Sequence, residues 1–247
     1  MRTTRILTLI IPLLVVANAR SQTALVDSSQ AQFAASSTHT NTLWEDLQGK
    51  VYIGFDVGVA LQHDLKIKQI SGLDLPIMVA PGTTLDKATY EFDPGIRVDL
   101  NARYRLTDTL SLGLEAGFIY NNINKIEVTE TSLGTTSTTE FGASDSRIYQ
   151  VPILADMVYR FPTHGRLKPY VGAGLGGVVT ILELPSSTQN DFTFAYQGMA
   201  GISVEIDPQW DMGLGYEFLG TLDHTLGDLK TDPMYTHCVF ISWTYKY

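Results

Sequence analysis

From Val51 onward the chain alternates apolar residues with polar or small ones at a period of two, in segments of nine to thirteen residues. A β-strand sends successive side chains to opposite faces, so every such segment has one greasy side and one polar side. "VYIGFDVGVAL" sets Val51, Ile53, Phe55, Val57, Val59 and Leu61 against Tyr52, Gly54, Asp56, Gly58 and Ala60. "IRVDLNARYRL" separates Ile96, Val98, Leu100, Ala102, Tyr104 and Leu106 from Arg97, Asp99, Asn101, Arg103 and Arg105. "LSLGLEAGFIY" does the same from Leu110 to Tyr120. Five further segments follow, at 149–161, 169–179, 194–206, 210–218 and 235–247, making eight strands in all. Each has about the 9–11 residues with which a tilted strand crosses a bilayer.

The links between these segments alternate in length. "TDT", "PTHGRLK" and "DPQ" are short, whereas 62–91, 121–148, 180–193 and 219–234 are long and mostly polar. Short turns on one side and long loops on the other are the layout of an up-and-down membrane barrel. After the first twenty residues no apolar run is long enough to cross as a helix. An open sheet would leave unpaired backbone groups in lipid, so a membrane location demands a closed barrel.

A soluble lipid carrier of the lipocalin type also alternates, with its apolar face turned inward. Two features favour lipid outside. With the short turns at the periplasmic end, Tyr104, Tyr159, Phe161, Trp210, Trp243, Tyr245 and Tyr247 cluster toward that end of the apolar face. Phe118, Tyr120, Tyr149, Phe194, Tyr196, Phe218 and Tyr235 cluster toward the other. Two aromatic girdles around an aliphatic band match the layers of a bilayer, and a soluble core has no reason to sort side chains by height. The polar face, moreover, is rich in glycine with a few Arg, Asp and Glu, whereas a solvated surface would carry many Lys and Glu.

The chain begins "MRTTRILTLIIPLLVVANARSQ". Arg2 and Arg5, an apolar run from Ile6 to Val16 and the small-residue site Ala17-Asn18-Ala19 read as a secretory signal peptide over 1–19. Residues 20–50 read as a polar arm or linker, with a possible short helix around "TLWEDLQ", and 51–247 as the barrel. The formal net charge is −9 and no basic cluster is present, which argues against a nucleic-acid partner. Cys238 is the only cysteine, so no internal disulfide framework exists, and it is expected to face the lumen as a small residue. "YVGAGLGG" contains a literal G-x-G-x-x-G at Gly172, Gly174 and Gly177. The fingerprint binds a dinucleotide only where a strand turns into a helix, and here "VVTILELP" continues as strand. Gly172, Gly174 and Gly176 are expected to point into a narrow lumen and leave room there for long side chains from neighbouring strands.

With "PYVGAGLGG", "YQVPILADMVYRF" and the terminal "FISWTYKY" in place, residues 51–247 resemble the small eight-stranded outer-membrane β-barrels of the OmpA, OmpX and opacity-protein type. The resemblance implies an all-β, eight-stranded, antiparallel up-and-down transmembrane barrel with short periplasmic turns and long extracellular loops in a bacterial outer membrane. It also implies that Ile241, Trp243, Tyr245 and Tyr247 form the signal read by the barrel-assembly machinery during biogenesis, although the family more often ends in Phe. No peptidoglycan-binding domain follows the barrel, so that family role does not carry over.

The interior candidates are Asp56, Arg97, Asp99, Glu115 and Asp156 at mid-depth, Arg103, Arg105, Arg160 and Lys246 toward the periplasm, and Glu205 and Glu217 elsewhere in the lumen. Together they read as a charged plug, because eight strands leave an interior that side chains can fill and buried charges must be paired. The girdle candidates are Tyr104, Tyr120, Tyr149, Tyr159, Trp210 and Phe218. The resemblance also admits lipid A deacylases, which need His-x-Ser near the outer rim. None of His39, His63, His164, His224 and His237 has Ser two positions on, and no nucleophile–base pair is legible. No catalytic residue, cofactor or metal is expected. Outer-membrane lipid is the expected partner, the barrel reads as a monomer, and loops 62–91 and 121–148 are candidates for an extracellular ligand. The first of these carries an apolar patch, Leu75 to Ala80, suited to covering the barrel mouth. A narrow pore and a lipid-modifying enzyme are the competing readings.

Overall fold

The computed structural model describes residues 47–70, 83–132, 135–143, 145–185, 187–226 and 229–247. The leader 1–19, most of the arm 20–50 and the patch Leu75–Ala80 lie outside them.

Eight strands form the barrel: β1 (Val51–Gln62), β4 (Gly95–Arg105), β5 (Leu110–Ser132), β7 (Arg147–Arg160), β8 (Leu167–Glu183), β9 (Thr188–Glu205), β10 (Trp210–Thr221) and β13 (Tyr235–Lys246). Each pairs antiparallel with its neighbours in the ring, and the ring closes because β1 pairs with both β4 and β13. The closed ring lets the spanning strands pair their backbone groups with one another, as lipid requires, with a break in the β5–β7 ladder at Pro152, which has no N–H to give. The alternating face is turned outward. Leu114 is 65% exposed, and Leu100, Ile153, Leu175 and Leu214 are similarly bare. A belt of this extent would not persist in water, and its solvent is lipid.

The short turns close as the sequence indicates. Leu106 and Thr107 donate to the Leu110 carbonyl, and Ile206 and Asp207 to that of Trp210. The long loops differ from expectation. Strands β8 and β9 run on past the barrel and leave only residues 184–187 between them, so the long link 180–193 is mostly strand.

Above the rim stands a second sheet. Strands β2 (Leu65–Ile70) and β3 (Thr83–Phe92) form a hairpin, β3 pairs with the upper half of β5, and β6 (Thr135–Gly142) pairs with the opposite edge of that half. The short strands β12 (Leu229–Thr231) and β11 (Thr225–Leu226) extend the sheet beyond β2. Residues within 121–148 thus contribute the β5–β6 hairpin, and the described parts of loop 62–91 are strands of the same sheet. This sheet encloses an apolar core of Leu65, Ile67, Tyr90, Ile123, Ile126 and Val128, joined by Ile148, Leu182 and Met234 from the tops of the barrel walls and from the β12–β13 loop.

One bulge in β5 makes the change possible. Ile123 faces Phe92 and Lys125 faces Glu91, so Asn124 is the additional residue. Before it, odd-numbered residues such as Glu115, Ile119 and Asn121 point inward; after it, Ile126 and Val128 do.

Candidate functional site

The inward faces of the barrel strands build a lumen in layers, each layer set by the two-residue period of the strands. At mid-depth two arginines organise the acids. Arg97, only 1% exposed, directs Nε to Asp99 Oδ2 at 2.7 Å and Nη2 to Glu115 Oε1 at 3.0 Å. The same Nη2 lies 2.5 Å from Glu217 Oε1, an ion pair and not an aligned hydrogen bond. Arg103 donates from Nε and Nη2 to Asp156, with Nη2 2.6 Å from Oδ2, and reaches Glu115 Oε2 at 3.2 Å. Its Nη1 donates to Asn101 Oδ1 at 2.8 Å, and Asn101 Nδ2 donates to Asp56 Oδ2 at 2.9 Å. Seven of the interior candidates are therefore brought together: Asp56, Arg97, Asp99, Arg103, Glu115, Asp156 and Glu217. Glu115 joins the two arginine groups, and Asn101, which ties Asp56 to Arg103, is the member that the sequence did not single out.

Glu205 is not part of this group. It sits at the periplasmic mouth, bonded to Lys168, with Lys246 at 3.7 Å. Lys246 lies 2.9 Å from Asp211 Oδ1. Lys168 and Asp211 are further lumen residues absent from the sequence-based candidates. The signal was available, since both fall on inward parity in their strands.

Glycine supplies the space. A Cβ on Gly113 would collide with Arg103 and Asp156, one on Gly117 with Asp99, and one on Gly54 with Asn101. On β8, Gly172 and Gly174 face Met199 and Gln197, at 2.8 and 3.0 Å from where a Cβ would be. Room for long neighbours is what the glycine-rich stretch provides, with strand on both sides of it.

Oxygens of Asp99, Glu115 and Glu217 lie within 4.8 Å of one another, a grouping suited in principle to a cation. The three acids come from β4, β5 and β10, so no spacing in the sequence could reveal it. The Arg97 guanidinium already holds all three. A cavity of about 30 Å³ borders Asp56, Arg103, Glu115 and Glu217, room for a water molecule or two rather than a channel.

Toward the extracellular side, four network strands place an apolar residue two or four positions on: Ala60 beyond Asp56 and Ile119 beyond Glu115, each past a glycine, Leu154 beside Asp156, and Leu219 after Glu217. With Val178 and Ala195 these form one buried cluster. Above it lies an amide–hydroxyl tier in which Thr236 Oγ1 donates to Gln62 Oε1 at 2.5 Å and approaches Gln150 Oε1 at 3.3 Å. The apolar core of the upper sheet comes next.

At the outer rim, His224 Nε2 lies 2.8 Å from Thr221 Oγ1 and its Nδ1 3.2 Å from Asp191 Oδ2. This is a hydroxyl–imidazole–carboxylate row that the sequence did not disclose, because its members are on two strands and a loop. Thr221 is buried, however, and its oxygen accepts the Met234 N–H at 3.1 Å. The row ties the β10–β11 loop to β9, with Thr225 N also donating to Asp191.

The girdle candidates divide between the two rims. Trp210 packs on Tyr245 with ring centres 5.1 Å apart, and Tyr159 on Phe161 at 5.1 Å, both beside short turns. Tyr104 lies at the same end, across from Val51. At the other end Tyr120 and Tyr149 are 5.4 Å apart, and Phe218 meets Tyr235 at 5.8 Å. Ile241, Trp243 and Tyr245 point outward along β13, Tyr247 follows it, and the Tyr247 carbonyl accepts from Gly49 N. Cys238 is a free thiol buried in the lumen wall.

The model of the outer membrane protein beta-barrel domain matches residues 24–234. The chain belongs to that family. Its location is accordingly the bacterial outer membrane. Among solved structures, this outer-membrane barrel is similar to Neisserial surface protein A, with 16% identity over 80% of this chain and 97% of that one, at a TM-score of 0.51. It is also similar to the outer membrane protein OprG from Pseudomonas aeruginosa, with 17% identity over 81% and 96% of the two chains, at a TM-score of 0.50. At these identities the likeness is one of fold. No curated protein matches the barrel's sequence.

Proposed function

We propose that this barrel is a non-conducting and non-catalytic outer-membrane protein whose role is structural or surface-interacting. The observation that carries the reading is the succession of filled layers in the lumen: a paired charge network, an apolar cluster and an amide–hydroxyl tier, with a free volume of about 30 Å³ bordering the charge network. An ion would have to shed its hydration in the apolar layer and displace Arg97 from three carboxylates. The buried Thr221 hydroxyl offers no attacking oxygen to a lipid, which supports the non-catalytic half.

Lipid contacts the belt, and the sheet formed from loops 62–91 and 121–148 offers the surface for any extracellular ligand. Export by the 1–19 leader, insertion guided by Ile241, Trp243, Tyr245 and Tyr247, and a monomeric state complete the proposal. Planar-bilayer recording of the refolded chain tests it. Silence is expected, and steady ohmic openings that vanish in Arg97→Met would establish a pore instead. Lipid masses in cells with and without the protein should be the same; a gained or lost acyl chain would make it an enzyme.

A further inference from the structure

The periplasmic mouth carries positive charge that its acidic side chains do not neutralise. Arg105 ends β4, Arg160 ends β7, Lys168 is the second residue of β8 and Lys246 ends β13, while Glu205 and Asp211 are the acidic side chains that line the mouth with them. All six line a cavity of about 570 Å³ that opens to the periplasm. Lys168 is engaged by Glu205, and Lys246 by Asp211 and Glu205. Arg105 and Arg160 have no Asp or Glu within ion-pair distance among the described residues.

The placement of these two guanidiniums suits an anion. Only β5 separates β4 from β7, so their backbones stand roughly 10 Å apart, two strand spacings. The guanidinium carbon of Arg160 lies 4.6 Å above the ring centre of Tyr52, and a stacked guanidinium keeps its N–H edge free to donate. Both side chains are half-buried within a chain whose formal charge is −9. Two like charges facing one cavity repel each other, and a bound oxyanion offsets that repulsion through paired N–H donors, the arrangement in which arginine holds phosphate and carboxylate best. The volume falls in the range of small-molecule sites.

We propose that the periplasmic mouth is a binding site for a small soluble oxyanion of the phosphate or carboxylate class, gripped between Arg105 and Arg160. The two residues face the lumen, whereas lipid headgroups surround the outer wall, so the ligand comes from the aqueous periplasm. The site lies at the end opposite the extracellular sheet and below the filled layers, so it stands whether or not the lumen conducts.

The test is titration of the full folded chain in maltoside micelles with inorganic pyrophosphate, at constant ionic strength, by isothermal calorimetry. Saturable binding at one per barrel is expected. Arg105→Gln and Arg160→Gln should each weaken it about tenfold, the loss expected for a charge-assisted contact. Lys125→Gln, on the extracellular sheet, should leave it unchanged. Heat-modifiable migration on a gel reports that each variant is folded. Should Arg160→Gln fail to fold on losing its Tyr52 stack, Arg105→Gln decides the question alone. No saturable binding by the folded wild type, or equal binding by the double variant, overturns the proposal. Competition by phosphatidylglycerol added to the micelles would overturn its assignment to a soluble anion.

Discussion

Barrel and extracellular sheet share strand β5, yet they sort their side chains in opposite senses. In the membrane, Leu112, Leu114 and Phe118 point out while Glu115 points in. Above it, Ile126 and Val128 point in while Lys125 and Glu127 face Glu91 and Glu140 on the outside. The strand stays extended throughout, with one bulge at Asn124, while its partners change from β4 and β7 to β3 and β6. The solvent changes with them. Lipid accepts leucine and rejects charge, so charge collects in the lumen and must be satisfied there; water reverses both preferences. "Apolar inside" is therefore a statement about surroundings, and a single strand obeys both versions within 23 residues.

Four measurements would break or sharpen this contrast. The largest effect is expected inside the barrel: Arg97→Met strands three buried carboxylates and should cost about 3–5 kcal/mol in urea unfolding from lipid vesicles. A loss under about 1 kcal/mol would mean that the acids do not depend on it. Next, Leu114→Arg at the middle of the lipid belt should cost about 2–4 kcal/mol in the same assay, although Leu114 is 65% exposed. A neutral result would show that water, not lipid, touches that face. In the sheet, Leu65→Ala should cost about 2–3 kcal/mol, but locally. Protease should then cut the β2–β3 hairpin while the barrel keeps its heat-modifiable migration, and joint loss of both would show one cooperative unit. The smallest effect concerns pH. Burial holds the His224 imidazole below its ordinary range, with Asp191 pulling the other way. The unfolded loop thus takes up the proton first, so its anchoring is complete above about pH 6.5 and weakens as pH falls below that. Proteolysis of the β10–β11 loop should quicken on acidification, and His224→Gln should flatten that response.

The eight barrel strands were legible because the lipid-facing positions leave a long, regular signature. Strands β2 and β3 were not, although "LKIKQI" alternates cleanly, because a link between two membrane segments carries no expectation of an apolar interior. Ile123 and Ile126, three apart, record the change of phase in β5, and an odd spacing of that kind marks a bulge once the neighbouring strand is known. In the lumen, parity assigns the inward residues but not their depth. Strands in a barrel are tilted and staggered, so residues equally far from their turns stand at different heights. Parity alone groups Glu205 with the wrong partners for that reason, and Asn101, an uncharged link between Arg103 and Asp56, has no charge to draw notice.

Closure of the ring through β1 and β13 has a consequence for synthesis. The first strand lacks one of its two partners until Tyr235–Lys246 has been made, since Val57 meets Ile241 and Ile53 meets Tyr245. A fragment without β13 leaves one edge of β1 unpaired, so the ring acquires the full backbone pairing that lipid demands only when its two ends meet.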